Sequence, residues 1–217
     1  MSDAESRKID FERGMSSVPV VTVGLIVANA VIFFVTVSRG FLQSESAILS
    51  AGALSRDLVL QGEIWRLLSA MFLHGGIDHL IGNAVGLYIV GLAAEHAYGK
   101  LEMAAAYLIS GLAGSVFSVL MNPGPAVGAS GAIFGLLGAM IIFFLKYRDL
   151  FHLRDKRVGN VLLLWAGYSV ITSYFAPFVD NAAHVGGLIG GAFCGYLLTP
   201  RLLRSTHMAG TLSGIDS

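Results

Sequence analysis

Charge is what this sequence lacks most. Only 13% of its 217 residues are Asp, Glu, Lys or Arg, against about 25% in a typical soluble domain. With 55% apolar residues and a mean hydropathy of +0.72, most of the chain must face something other than water. Neither sign of charge is in excess, and the formal net charge is zero. Bulk electrostatics therefore offer nothing to a nucleic acid, and none is expected as a partner. A single cysteine, Cys194, excludes an internal disulfide. Internal repeats and low-complexity segments are absent. The first residues, Met1 to Arg13, are polar and mixed in charge, and the apolar stretch behind them is too long for a cleavable signal. They read as a short tail before a retained first span.

What is present is a series of long uncharged runs. A hydrocarbon core of about 30 Å takes about 20 apolar residues in a helix. Gly14 to Ser38 carries no Asp, Glu, Lys or Arg and supplies a first span. Met103 to Leu145 is also uncharged but too long for one crossing. "NPGP", Asn122 to Pro125, breaks it into two. Val158 to Val179 and Asn181 to Pro200 are two more, parted by Asp180. His79 to Tyr98 is less apolar, yet its middle, Ala84 to Ala94, qualifies it. The expectation is an all-α membrane protein of six spans occupying residues 18–200, with tails at 1–17 and 201–217.

Six spans put both tails on one side, and basic residues choose the side. Arg7, Lys8, Arg13, Lys100, Lys146, Arg148, Arg154, Lys156, Arg157, Arg201 and Arg204 fall with the tails. Arg39, Arg56 and Arg66 fall opposite. Both tails are therefore expected in the cytoplasm. The long outer loop, Arg39 to Asp78, contains "EIWRLLSAMFLHGG", whose mix of Trp65, Arg66 and aliphatic residues suits the membrane interface.

Strongly polar residues inside spans default to a functional hypothesis. His79 and Asn83 open span two, Ser130 opens span four and His184 opens span six. All three helices start on the outer side, so these four side chains share one depth. His79 and Asn83 also share a helical face. Gly82 and Gly86, Gly131 and Gly135, and Gly186, Gly187, Gly190, Gly191 and Gly195 form small-residue faces that admit close helix packing. Packing of spans four and six through such faces brings Ser130 within reach of His184. The residues alone leave two readings open: a serine and polar donors that merely pack, or an activated nucleophile with its base.

"WR" (Trp65–Arg66), "HGGIDHLIGN" (His74–Asn83), "GASGAIFG" (Gly128–Gly135) and "NAAHVGG" (Asn181–Gly187) together resemble the rhomboid family of intramembrane serine proteases. The four motifs occur in that family's order, and the resemblance covers Val18 to Pro200. It implies a rhomboid-like six-helix bundle of the minimal bacterial type, with an interfacial outer loop between spans one and two. By this resemblance Ser130 is the nucleophile and His184 the general base. His79 and Asn83, with the backbone of Ser130, form the oxyanion hole. His74 and Glu95 are structural, Gly187 lets span six approach span four, and Trp65 and Arg66 belong to the loop dipping into the membrane. Phe134 stands where the family often has tyrosine, keeping a ring against His184 without its hydroxyl. Asp180 or Asn181 is expected to cap span six rather than to complete a triad. "FAPFVD", Phe175 to Asp180, is expected to cap the site.

The function implied is hydrolysis of peptide bonds in or near transmembrane segments of other membrane proteins, through an acyl-enzyme. It calls for no cofactor or metal, and "HGGID" lacks the HExxH spacing of a zinc protease. The setting expected is a bacterial-type inner membrane with the site opening outward. A channel or transporter would need polar residues through both membrane halves. An inactive relative that only binds membrane clients would not need both Ser130 and His184.

Overall fold

The computed structural model describes residues 8–16, 18–122, 124–175 and 179–203. Among them the chain is helical, with two isolated β-bridges and no named strand. The long helices are α1 (Val20–Ser38), α5 (Ile77–Tyr98), α6 (Lys100–Met121), α7 (Ser130–Lys146), α8 (Leu153–Tyr174) and α9 (Asn181–Leu197). Three short helices, α2 (Glu45–Ser50), α3 (Arg56–Leu60) and α4 (Arg66–Ser69), lie between α1 and α5. Four stretches are long and apolar enough to cross a membrane: Val20–Ser38, Ile77–Tyr98, Lys100–Met121 and Asn181–Leu203. Ser130–Lys146 and Arg157–Ile171 are shorter apolar helices.

The uncharged run from Met103 to Leu145 divides where expected. Asn122 leaves the helix, and its side-chain oxygen accepts the N–H of Gly124 at 3.1 Å. Such a local bond stabilises a turn in place of the next helical turn. Pro123 lies outside the described residues. One boundary differs from the reading of the runs. α8 begins at Leu153 rather than near Val158, so Arg154, Lys156 and Arg157 continue a helix instead of filling a loop. Lysine and arginine are good helix formers, and a helix does not stop where its apolar stretch stops.

α1 starts directly after Pro19, which has no side-chain cap to offer. Glu95, near the far end of α5, supplies one. Its carboxylate accepts the N–H groups of Val21 (3.2 Å) and Thr22 (3.0 Å) and the hydroxyl of Thr22 (3.0 Å). An anion at the positive end of a helix is favourable, and here it fastens the outermost helix to the bundle. Gly99, at φ +95°, then reverses the chain between α5 and α6 in a single residue.

α7 is the inner helix. Twelve of its seventeen residues are buried, against four of nineteen in α1. Its all-round apolar sequence, uncharged up to Lys146 at its end, suits that position. α9 packs on α7 through glycines. A Cβ on Gly187 would strike the carbonyl of Gly131, and one on Gly191 the carbonyl of Gly135. One on Gly195 would stand 2.7 Å from the carbonyl oxygen of Ala139. Gly186 and Gly190 face α6 instead, against Phe117 and Ala113. Burial of apolar side chains drives little association in lipid, so backbone proximity and dispersion carry the packing. The Gly82 half of the expected Gly82–Gly86 face is a correction: Gly82 points into open space, and Gly86 makes an ordinary contact with Ile133.

The segment between α1 and α5 is tied to the loop before α7. Leu54 and Ala126 exchange both backbone hydrogen bonds, at 2.9 and 3.0 Å. Arg66 sits beneath, buried to 5% exposure. It donates to the carbonyls of Leu49 and Ala53 and pairs with Glu63. Trp65 covers the guanidinium at 4.6 Å and is itself half exposed.

A bulky side chain on the seam should unlock the bundle, whereas the same change on a lipid-side glycine should not. Gly191→Leu is expected to cost about 3 kcal/mol or more, above ordinary core overpacking because the obstacle is backbone. Gly24→Leu, with nothing within 4 Å, should stay within about 0.5 kcal/mol. Reversible unfolding in mixed micelles measures both.

Candidate active site

Three helix starts, those of α5, α7 and α9, converge on one cavity. Ser130 is the first residue of α7, and His184 lies in the first turn of α9. His184 Nε2 is 2.9 Å from Ser130 Oγ. The contact is possible because the glycine seam holds α7 and α9 close at this same end. Phe134, one turn below Ser130, stacks flat on the His184 ring, with centroids 4.2 Å apart and planes 11° from parallel. The ring is therefore oriented by packing. Its Nδ1 is buried and has no hydrogen-bond partner among the described residues.

Asp180 does not reach that nitrogen. Its carboxylate is the cap of α9, accepting the N–H of Ala183 at 3.0 Å and the hydroxyl of Ser118 from α6. Of the two caps considered from sequence, the structure uses Asp180; Asn181 is the first helical residue. Among the described residues no carboxylate stands behind the imidazole, and the group beside Ser130 is a pair.

His79 and Asn83 project from the start of α5 to the same cavity. Asn83 Nδ2 is a buried donor with no hydrogen-bond partner among the described residues. Gly128 explains how the loop before Ser130 fits. Its φ is +132°, and a Cβ there would stand 2.8 Å from the His79 ring. Only glycine meets both conditions. Its N–H donates to the carbonyl of Ala70 at 2.9 Å, which fixes the loop. Gly131 faces the Ala183 carbonyl. The first N–H groups of α7 have no intrahelical acceptors, so the positive end of that helix opens at Ser130.

The cavity measures about 1060 Å³ and is lined by His79, Asn83, Ser130 and His184, with Asn122, Pro125 and Val179 at its edge. Ala176–Phe178, the centre of the expected cap, lie outside the described residues. A small second cavity of about 30 Å³ adjoins Ser130 beside Ser115, Met71 and Asp180. It has room and polar partners for one water.

Four of the sequence candidates, Glu95, Trp65, Arg66 and His74, lie away from this cavity. Glu95 caps α1 at the opposite end of α5. Trp65 and Arg66 organise the segment between α1 and α5. His74 is fully buried, its ring edge-on to His79 at 5.2 Å. Burial, with the neighbouring His79 adding to it, pushes His74 down to about 4, while the Phe72 carbonyl pulls weakly the other way. It is a neutral wedge behind His79.

The sequence reading missed α6. None of its residues stands among the polar candidates of the sequence, yet Ser110, Ser115 and Ser118 are buried on one side of it. Ser118 holds Asp180, and Ser115 donates to the Leu67 carbonyl at 2.8 Å. The signal was available: Ser110, Gly111, Gly114, Ser115 and Ser118 recur at helical spacing and mark a buried small-residue face.

The Rhomboid domain family model matches residues 61–201, which include Ser130, His184, His79 and Asn83. The chain belongs to the rhomboid family. It is similar to Rhomboid protease GluP of Bacillus subtilis, 34% identical over 193 residues. That alignment covers 89% of this chain and 38% of the relative. RHOMBOID-like protein 5 of Arabidopsis thaliana is 40% identical over 153 residues, covering 69% of this chain and 49% of the plant protein. Rhomboid protease AarA of Providencia stuartii is 33% identical over 220 residues, covering 88% and 77%. This rhomboid thus spans less than two thirds of the first two relatives. Membership and the apolar helices make it an integral membrane protein with a helical bundle.

The buried imidazole of His74 gives this rhomboid a pH-dependent stability. Its folded value lies below the unfolded one, so the unfolded chain takes up the proton first as pH falls. Stability should drop from about pH 6.5 to about pH 4 on this account. His74→Gln should flatten that slope, which melting curves across the range would detect.

Proposed function

We propose that this rhomboid is an intramembrane serine endopeptidase that hydrolyses peptide bonds in or near transmembrane segments of membrane-protein substrates. The single observation that carries the reading is the 2.9 Å approach of Ser130 Oγ to His184 Nε2. A hydroxyl and an imidazole at that distance can pass a proton. Ser130 attacks the scissile carbonyl while His184 removes its proton. The acyl-enzyme forms as His184 returns the proton to the leaving amine, and a water then repeats the cycle. The adjoining 30 Å³ cavity is a natural store for that water.

The oxyanion is assigned to Asn83 Nδ2, a ring N–H of His79 and the backbone N–H of Ser130. Asn83 Nδ2, without a partner among the described residues, supports this. A donor already aimed and desolvated needs no rearrangement as charge develops. Phe134 takes the place of an acid in orienting His184. The supporting residues are Gly128, Gly131 and Gly187, which let backbone and rings close up, and Asp180, which caps the start of α9 one turn before the histidine.

The domain proposed is residues 18–200, with six spans. The four long helices are joined by Ser130–Lys146 and the apolar part of α8, which cross as shorter spans. By the distribution of basic residues, tails 1–17 and 201–217 lie in the cytoplasm of a bacterial-type inner membrane, and the cavity opens outward. The substrate's own helix shields its carbonyls, so substrates must unwind before they reach Ser130.

Cleavage of a single-span substrate in liposomes tests this reading. Ser130→Ala and His184→Ala should each lower kcat/KM by at least about a thousandfold. Asn83→Ala should lower it by about a hundredfold to a thousandfold. Undiminished cleavage in the first two variants would exclude the pair as the catalytic centre.

A further inference from the structure

At the end of the bundle away from Ser130, a separate cavity of about 450 Å³ opens where α1, α5, α6 and the end of the α9 segment meet. Three permanent cations line it from three distant stretches of chain: Arg13, Lys100 and Arg201. Among the described residues one acidic side chain lines it, Glu95, and both its oxygens are committed to the start of α1. Glu102 reaches the same corner as Arg201, against Gly99, and offsets part of the charge. The back wall is the His96 ring, held edge-on by Phe11 at 5.2 Å. His96 Nε2 is buried and has no hydrogen-bond partner among the described residues. On the rim, Val18 and Val20 are 58% and 57% exposed.

Converging cations beside exposed aliphatic side chains, at the end of a membrane bundle, suit one ligand chemistry. We propose that this pocket binds a phosphate group, carried on a phospholipid headgroup or as the free anion. Arg13, Lys100 and Arg201 hold the phosphate oxygens; arginine does so with paired N–H donors and lysine as a point charge. Val18 and Val20 provide the apolar margin that an acyl chain needs and a free anion does not. The orientation proposed above puts the pocket in the cytoplasmic leaflet, but binding does not depend on that orientation or on catalysis. Basic pockets between spanning helices on that side are general sites for anionic headgroups.

The test uses the full chain, stripped of lipid in a neutral detergent. Binding of phosphatidylglycerol, phosphatidylcholine and inorganic phosphate is read by native mass spectrometry and by the shift in melting temperature. Wild type should bind phosphatidylglycerol over phosphatidylcholine. R13Q, K100Q and R201Q should each weaken that binding about fivefold, whereas R148Q/R157Q, at the same end but outside the pocket, should leave it unchanged. A headgroup site predicts a larger shift with phosphatidylglycerol than with equimolar inorganic phosphate, and a free-anion site predicts equal shifts; both must disappear in R13Q/K100Q/R201Q. Circular dichroism and gel filtration of that variant establish that it is folded. A folded triple variant that binds like wild type, or a wild type that treats phosphatidylglycerol, phosphate and phosphatidylcholine alike, overturns the proposal.

Discussion

The contact between the backbones of α7 and α9 governs the rest of this molecule. Gly187, Gly191 and Gly195 present no side chain to α7, so carbonyls of Gly131, Gly135 and Ala139 occupy the space that Cβ atoms would fill. In lipid there is no water to expel between helices, and close approach must come from shape. The seam begins at the same helix ends that carry Ser130 and His184. Packing and chemistry are therefore one constraint: the distance between hydroxyl and imidazole is the distance between two backbones.

The remaining parts of the site follow from where helices start. A helix start exposes unpaired N–H groups and a positive field, and three such starts surround the cavity. Each needs compensation in a low-dielectric setting. Asp180 and Ser118 compensate α9, and Glu95 compensates α1 at the far end. α7 keeps its start open at Ser130, where the proposed reaction develops negative charge. His184 has no carboxylate partner among the described residues, and the flat stack on Phe134 takes over its orientation. Phenylalanine serves that purpose as well as tyrosine, because the face of the ring makes the contact.

Much of this was legible in the sequence because lipid leaves few options. Uncharged runs located α1, α6, α7 and α9, and a proline- and glycine-containing break separated α6 from α7. The common depth of His79, Asn83, Ser130 and His184 followed from counting spans, and all four line one cavity. What was not legible depended on contacts between distant segments. Arg66 reads as an interfacial cation, yet it is buried under carbonyls of Leu49 and Ala53. Gly82 and Gly186 share the motif of the seam glycines but face elsewhere, because spacing alone does not state which neighbour a helix face meets. The polar side of α6 was passed over since serines in an apolar run carry no charge to mark them.

The central claim is that the seam sets the reactivity of Ser130. Labelling of Ser130 by a fluorophosphonate, measured in wild type and in Gly187→Leu with helix content monitored alongside, addresses it most directly. The account predicts that wild type is labelled and that Gly187→Leu remains helical but is not labelled. Equal labelling of Ser130 in the two proteins would contradict it.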